Sequence, residues 1–286
     1  TAVTDLAGNN LAANKVWTFT TGVALPPNPD MVNLGESGRF ALLAYAGITN
    51  DPAPKSTVSN GDIGITPTAR TAITGFTTSG SQGNYVELTN GRSYAPGDLN
   101  PDPFPYPVHY STSPIGSQWT STGDMLTTAL QNASTAYTTI EGLTLPAPAV
   151  IPGSDPTELG GKTLYRGIYV SAVPVKIEQG DLTLDGQGDS NSVWIFQLGN
   201  TLTTGAPGGN VILTNGAQAK NVFWQVAGAG TAGVTLASVA DTHFYGNVLS
   251  WKQINVSDHV IITGRLFSIT ARITLISDNI TGVSYP

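Results

Sequence analysis

Apolar and polar positions alternate with a short period over most of the chain after residue 164. The apolar segments are short, and turns rich in Gly, Asn and Asp separate them. Such alternation is typical of β-strands that bury one side. The segments can be aligned in three columns, and three strands per turn at a period of roughly 20–30 residues predicts a β-solenoid.

The three columns differ in chemistry. Segments of the first column, such as VWIF and VFW, are apolar throughout, which predicts strands covered on both sides. Segments of the second and third columns alternate, which predicts one side in water. The first column comprises residues 167–173, 193–198, 222–226, 247–251 and 265–269; the second comprises 175–178, 201–204, 234–237, 253–256 and 272–276; the third comprises 182–185, 211–214, 243–245, 260–263 and 280–283.

One segment, residues 121–141, has helical periodicity. Its apolar residues recur at spacings of three and four, Ser121 or Thr122 can cap its start, and Gly142 can end it. The rest of its surface is polar, so the helix must lie against something larger. We expect it to cover the first column of strands.

The remaining segments suggest how the chain is divided. Residues 1–22 end in WTFTTG and resemble the last strands of a bacterial Ig-like domain, so we interpret them as the C-terminal remnant of such a domain. Residues 23–32 contain three prolines and read as a stiff linker. The main domain is expected at 33–286, with strands near 40–48, 57–65 and 71–76. The aromatic, Gly- and Pro-rich stretch 80–117 is interpreted as a capping insertion, whose Tyr94, Phe104, Tyr106 and Tyr110 need burial.

Composition narrows the possible functions. Charged residues make up only 11%, the net charge is −7, and there is no Cys. The negative charge argues against nucleic acid as a partner, and the lack of Cys excludes disulfides, Cys-ligated zinc and a Cys nucleophile. No apolar run approaches the roughly 18 residues of a membrane span. Thr alone accounts for about one residue in eight, which suits a secreted or cell-surface protein better than a cytoplasmic enzyme.

Several residues could be mistaken for catalytic or metal-binding groups. The three histidines lie in different segments without metal-ligand spacing, and the carboxylates of a turn-rich segment are interpreted as turn caps. The aromatic residues of the first column are interpreted as core beneath the helix rather than as a sugar-binding platform. These residues are His109, His243 and His259; Asp181, Asp185 and Asp189; and Trp194, Phe196, Phe223 and Trp224. None of these residues is therefore interpreted as a catalytic or metal-binding group.

Specific segments resemble a known family. Residues 33–40 (NLGESGRF), 60–65 (NGDIGI) and 215–226 (NGAQAKNVFWQV) are similar to segments of the microbial ice-binding proteins, and the resemblance extends over about residues 33–284. It implies a mainly β fold, namely a right-handed three-sided β-helix in which N-terminal coils lie beside C-terminal ones and one long α-helix packs along one face. It also implies a secreted or cell-surface protein that catalyses no reaction, needs no metal or cofactor and has the surface of an ice crystal as its partner. The sequence leaves dimerisation open, and we expect a monomer.

The resemblance also indicates where ice would bind. Family members carry a T-A/G-x-T/N pattern on ice-facing strands that correspond to the second column. Residues 71–74 (TAIT) match this pattern, and residues 57–60 (TVSN) match it at both ends. The candidate ice-binding residues are Thr49, Thr57, Asn60, Thr71, Ala72, Thr74, Thr201, Thr203, Thr235, Gln253, Asn255 and Thr274.

Two charged residues depart from the pattern. Arg272 stands where a small residue is expected, and Lys176 points outward on the coil that begins the C-terminal half. They lead us to expect moderate rather than strong activity. The third column, which carries Thr183 and Ile212, remains an alternative face. A carbohydrate-binding or adhesive solenoid module is the alternative function, and a polysaccharide-degrading enzyme is disfavoured because no acidic cluster is visible.

Overall fold

A computed structural model of the chain describes residues 26–51, 54–98, 121–151, 153–205, 209–237, 241–257 and 259–284, together with Ala7 and Asn9. The predicted Ig-like remnant at 1–22 lies almost entirely outside these ranges. So do Phe104, Tyr106 and Tyr110 of the predicted capping insertion.

The strands follow one another in groups of three, and each group forms one coil. The N-terminal strands are β1 (Phe40–Ala44), β2 (Gly47–Asn50), β3 (Thr57–Ser59), β4 (Asp62–Ile65), β5 (Ile73–Thr74), β6 (Leu88–Thr89) and β7 (Ser93–Tyr94). The helix α1 (Thr122–Glu141) follows. The C-terminal strands are β8 (Ala149–Val150), β9 (Thr157–Glu158), β10 (Thr163–Leu164), β11 (Gly167–Ser171), β12 (Val175–Ile177), β13 (Leu182–Asp185), β14 (Trp194–Leu198), β15 (Leu202–Thr204), β16 (Val211–Thr214), β17 (Val222–Val226), β18 (Ala232–Ala237), β19 (His243–Ser250), β20 (Gln253–Ser257), β21 (Ile261–Ser268), β22 (Arg272–Ile276) and β23 (Asn279–Thr281).

All ladders between these strands are parallel, and successive strands of a coil lie on three different faces. Face 1 has the order β7–β4–β1–β21–β19–β17–β14–β11–β8, and face 2 has the order β5–β2–β22–β20–β18–β15–β12–β9. Face 3 contains β10–β13–β16 and, beside it, β19–β21–β23–β3–β6. Apolar side chains from all three faces fill the interior of this prism. The predicted mainly β solenoid is therefore confirmed.

The coil order is discontinuous along the chain. The first three strands pair with strands from the C-terminal end: β1 with β21, β2 with β22 and β3 with β23. The N-terminal coils thus lie beside the last C-terminal coil, as the family resemblance implies.

The three sequence columns correspond to these faces with one difference. Residues 243–245 and 260–263 are not separate strands, because they are the first halves of β19 and β21, which continue from face 3 into face 1. The bend lies at Gly246 and Gly264, with φ angles of 124° and 156°. A Cβ on Gly264 would lie 1.8 Å from the carbonyl oxygen of Gly246, so the stacked corners need glycine.

Helix α1 covers face 1 as expected. Its apolar stripe forms a second buried cluster with side chains that face 1 directs outward, such as Ile195, Phe223 and Phe267. Ser121 caps the start by accepting a hydrogen bond from the backbone N–H of Asp124 at 3.1 Å. The buried side chain of Gln197 donates to the carbonyls of Ile140 and Leu143, at 2.6 and 2.9 Å, and so completes the C-terminal end.

Two parts of the solenoid were not recognised in the sequence. The coil β8–β10 precedes residue 167, where the predicted columns begin, and its strands have only two residues each. The predicted insertion at 80–117 begins with β6 and β7, which extend faces 3 and 1. Tyr94 of β7 is buried and meets the ring of Phe40 edge-on, with centroids 6.4 Å apart.

Candidate functional site

The centre of face 2 carries one continuous row of outward side chains. Strand register aligns one residue from each of six neighbouring coils. Because paired strands lie about 4.7–4.9 Å apart, the row has a regular spacing. The row, which we call the central row, is Thr74–Thr49–Thr274–Asn255–Thr235–Thr203.

The central row points outward because its flanking residues point inward. Ile273 and Leu275, on either side of Thr274, are fully buried, as are Val234 and Leu236 on either side of Thr235. A strand places successive side chains on opposite sides, so burial of these neighbours fixes the orientation of the row. Its members are exposed or half-buried.

Hydrogen bonds between neighbouring side chains restrain parts of this surface. The hydroxyl of Thr74 donates to the hydroxyl of Thr49 across a distance of 3.2 Å. The amide of Gln253 donates to Oδ1 of Asn255 at 2.7 Å. Thr also has a stiff χ1, so these side chains lose little further freedom when a ligand orders them.

The row on one side of the central row is uneven. It contains Gly47, which pairs with Arg272, and then Gln253 on the next strand. Arg272 is exposed. The ladder is also irregular between Ala232 and Val234, where β18 pairs with β20. This side of face 2 is therefore rough, and Arg272 is its largest projection.

The row on the other side is smoother and was not among the predicted residues. Ala237 pairs with Ser257, which pairs with Ile276. All three are half-buried. The same spacing of two residues that selected the central row could have identified them, but they match no Thr-based motif.

Charged residues end the central row. Lys176 follows Thr203 in register, and Glu158 follows Lys176 on the outermost coil. Lys176 forms an ion pair with Glu178 at 2.9 Å. The uncharged part of the row is thus limited to six coils.

Of the twelve predicted site residues, seven lie on strands of face 2, three lie immediately before such a strand, and two lie elsewhere. Thr71 and Ala72 lie in a 3-10 turn immediately before β5, and Thr201 immediately precedes β15. The placement of Thr57 and Asn60 on the second column is wrong. Thr57 pairs with Asn279 on face 3, and Asn60 follows β3 in a left-handed turn conformation with φ of 56°.

Face 3, the alternative surface, is less uniform. Thr183 lies between Thr163 and Ile212, and Ile212 is an exposed apolar side chain. His243 and Tyr245 stack on the outer surface with ring centroids 6.3 Å apart. Large rings and an exposed isoleucine interrupt any regular array of hydroxyl groups on this face.

Two of the carboxylates that might suggest chemistry cap turns, because Asp185 accepts from the backbone N–H of Gln187 and Asp189 from that of Asn191. Asp181 instead accepts from Asn210 on the neighbouring coil. No group of His, Asp or Glu with the arrangement of a metal site occurs among the described residues. His109 lies outside them. In the described part of the chain, no helix combines the length and apolar character that a membrane crossing requires.

Comparisons with known proteins identify similar chains. Residues 42–281 match the family model described as Ice-binding-like. The chain is 40% identical over 264 residues to ice-binding protein 1 of Shewanella frigidimarina, an alignment that covers 92% of this chain and 27% of that protein. It is 32% identical over 253 residues to an ice-binding protein of Flavobacterium frigoris, covering 88% of this chain and 76% of the relative.

Solved structures are similar as well. The DUF3494 domain of the Shewanella frigidimarina protein has a TM-score of 0.77 and 38% identity, with coverage of 91% of this chain and 100% of that domain. An ice-binding protein from an Arctic yeast has a TM-score of 0.67 and 30% identity, with coverage of 90% and 96%.

Proposed function

Because the chain belongs to the Ice-binding-like family, we propose that it adsorbs to ice through face 2 and thereby inhibits or reshapes crystal growth. The observation that carries this proposal is the central row, which presents six small uncharged polar side chains at the regular spacing of a solenoid. The chain acts without catalysing a reaction and without a cofactor. We further propose that it works as a monomer in a secreted or cell-surface setting.

Water provides the physical link between this row and ice. Hydroxyl and amide groups anchor the water molecules that touch them, and the Thr methyl groups between them restrict where those waters can lie. A row of waters held at the spacing of the strands can merge with an ice lattice. A long charged side chain would hold water in a different pattern, which favours the part of face 2 that lies away from Lys176 and Glu158.

We also propose a division into domains. Residues 33–286 form the ice-binding unit, with the capping insertion at 80–117, and residues 1–22 are the end of an Ig-like domain. The prolines of residues 23–32 connect the two.

A sugar-binding module is the alternative function. Such modules often use exposed aromatic rings as stacking surfaces, whereas the central row contains no aromatic residue. Binding to insoluble polysaccharides without adsorption to ice would favour this alternative.

The decisive experiment combines thermal hysteresis, ice-crystal shaping and partition into a growing ice hemisphere. We expect the parent protein to be active in all three and Thr235→Tyr to lose most of that activity. Thr183→Tyr on face 3 is the matched control and should remain active. Inactivity of the parent protein would refute ice binding, and equal losses in the two variants would refute the assignment to face 2.

A further inference from the structure

The segment before the first coil is fastened to one edge of the solenoid. Arg166 donates to the carbonyl of Pro26 at 2.6 Å and, through its other arm, to Asp189 at 2.8 Å. The side chain of Asn28 donates to the carbonyl of Asn191 at 2.8 Å and accepts from the backbone N–H of Val193 at 2.9 Å. We call these four hydrogen bonds the clip.

The clip is a built contact rather than a chance approach of two surface segments. The amide of Asn28 satisfies one donor and one acceptor of the backbone that leads into β14, as a neighbouring strand would. The guanidinium of Arg166 is held by Asp189 on its far side, which fixes the direction of its contact with Pro26.

Buried residues continue the attachment along the chain. Pro29 is buried, and Val32 and Leu34 belong to the cluster beneath α1, together with Ile168 and Val193. The described part of the predicted linker, residues 26–32, is therefore docked against the solenoid. Proline restricts the backbone at several of its positions, which keeps the segment extended.

The location of the clip relates it to face 2. Arg166 lies between β10 on face 3 and β11 on face 1, and residues 189–193 lie between β13 on face 3 and β14 on face 1. Each coil visits the three faces in turn, so the edge shared by faces 3 and 1 is the one that face 2 does not border.

We propose that the clip binds residues 26–28 as an intramolecular partner and so fixes the exit of the preceding polypeptide at the edge opposite face 2. The chain N-terminal to Pro26 then leaves the solenoid on the far side from the candidate ice-binding surface. The position at which the chain leaves the solenoid depends only on the clip. That this position keeps face 2 accessible to ice rests on the proposed function.

The absence of native Cys allows a direct test. We would attach pairs of spin labels to two double-cysteine variants. The pair Ala24→Cys and Thr183→Cys reports the distance from the start of the segment to face 3, and the pair Ala24→Cys and Thr203→Cys reports its distance to face 2. In the full chain we expect narrow distance distributions. In the Asn28→Ala, Arg166→Ala double variant we expect them to widen about twofold, because the segment can then pivot.

Asn215→Ala is the matched control, since Asn215 lies at the equivalent edge one coil further and its amide contacts Asp185 instead of the segment. It should leave the distributions narrow. Should the double variant prove unstable, Asn28→Ala alone is to be measured, with a smaller widening expected. Broad distributions in the parent, or equal widths in parent and both clip variants, would overturn the proposal.

A second measurement examines the orienting role. A fluorophore on Ala24→Cys should show polarised emission when the parent is adsorbed to a single ice crystal, and weaker polarisation in the clip variants. Equal polarisation in all of them would overturn the orienting role. Failure to adsorb at all would refute the proposed function, while the distance distributions would still decide on the clip.

Discussion

Thr49 and Thr274 lie side by side in the central row of face 2, although they belong to opposite ends of the chain. Their pairing joins the N-terminal coils to the C-terminal coils and makes the central row continuous. Without it, the row would be two shorter pieces of two and four residues. The discontinuous coil order is therefore what gives this surface its length.

This continuity predicts a gradient of sensitivity along the central row. Contacts at the centre of an interface contribute more than contacts at its rim, because they are fully shielded from bulk water. We expect Thr274→Tyr to remove more than about half of the thermal hysteresis activity and Thr203→Tyr, at the end of the row, to remove less. Measurement at matched concentrations, with melting temperatures recorded alongside, checks the order. Equal losses at both positions would argue against a single continuous surface.

The exposed Arg272 is expected to limit activity. It projects beside the central row, where it holds hydration water and would be desolvated against ice at a cost. We therefore expect Arg272→Thr to raise thermal hysteresis by roughly 1.5-fold to twofold. Lys162→Thr, which removes a positive charge at the edge between faces 2 and 3, is the control and should change little. A lower activity of Arg272→Thr would indicate that the arginine contributes to binding.

The strands of the solenoid could be predicted and aligned from the sequence wherever buried and outward side chains alternate over several residues. The second column, for example, was aligned correctly from its buried Leu202, Val234, Ile254 and Ile273. Thr57 was misplaced because its segment matches the motif, whereas its face depends on pairing with β23 at the other end of the chain. No local pattern encodes that pairing.

Other features could not be predicted from the sequence, for different physical reasons. The strands β8, β9 and β10 have two residues each, too few to show a period. Ala237 and Ser257 were missed because neither belongs to a recognisable motif, and only the pairing of β18 with β20 shows that they lie beside the central row. The clip at Asn28 joins residues far apart in sequence, and a Pro-rich stretch reads equally well as a free linker.

The corner at Gly264 offers a test of the fold itself. A Cβ there would meet the backbone of Gly246 far inside van der Waals contact, and backbone atoms of a stacked coil cannot move aside. We expect Gly264→Ala to reduce the free energy of unfolding by about 3 kcal/mol or more. Gly230→Ala is the control, since Gly230 also has a positive φ, 57°, but open space around it; its cost should be about 1 kcal/mol. Similar losses for both would mean that backbone conformation, and not close stacking, requires the glycine.

A buried glutamine joins the C-terminal end of α1 to face 1. Gln197 donates to the carbonyls of Ile140 and Leu143, and it is buried between the strand and the end of the helix. Replacement by Met preserves its length and apolar contacts but removes the side-chain donor to both carbonyls, although the carbonyl of Ile140 still accepts from the backbone N–H of Leu143 at 3.0 Å. We expect Gln197→Met to lower the free energy of unfolding by about 1–3 kcal/mol, with a smaller effect on thermal hysteresis, because the central row lies on another face. Gln187→Met, an exposed turn residue, should have little effect on stability. Chemical denaturation measures the difference, and a stable Gln197→Met variant would show that this hydrogen-bonded end does not anchor the helix.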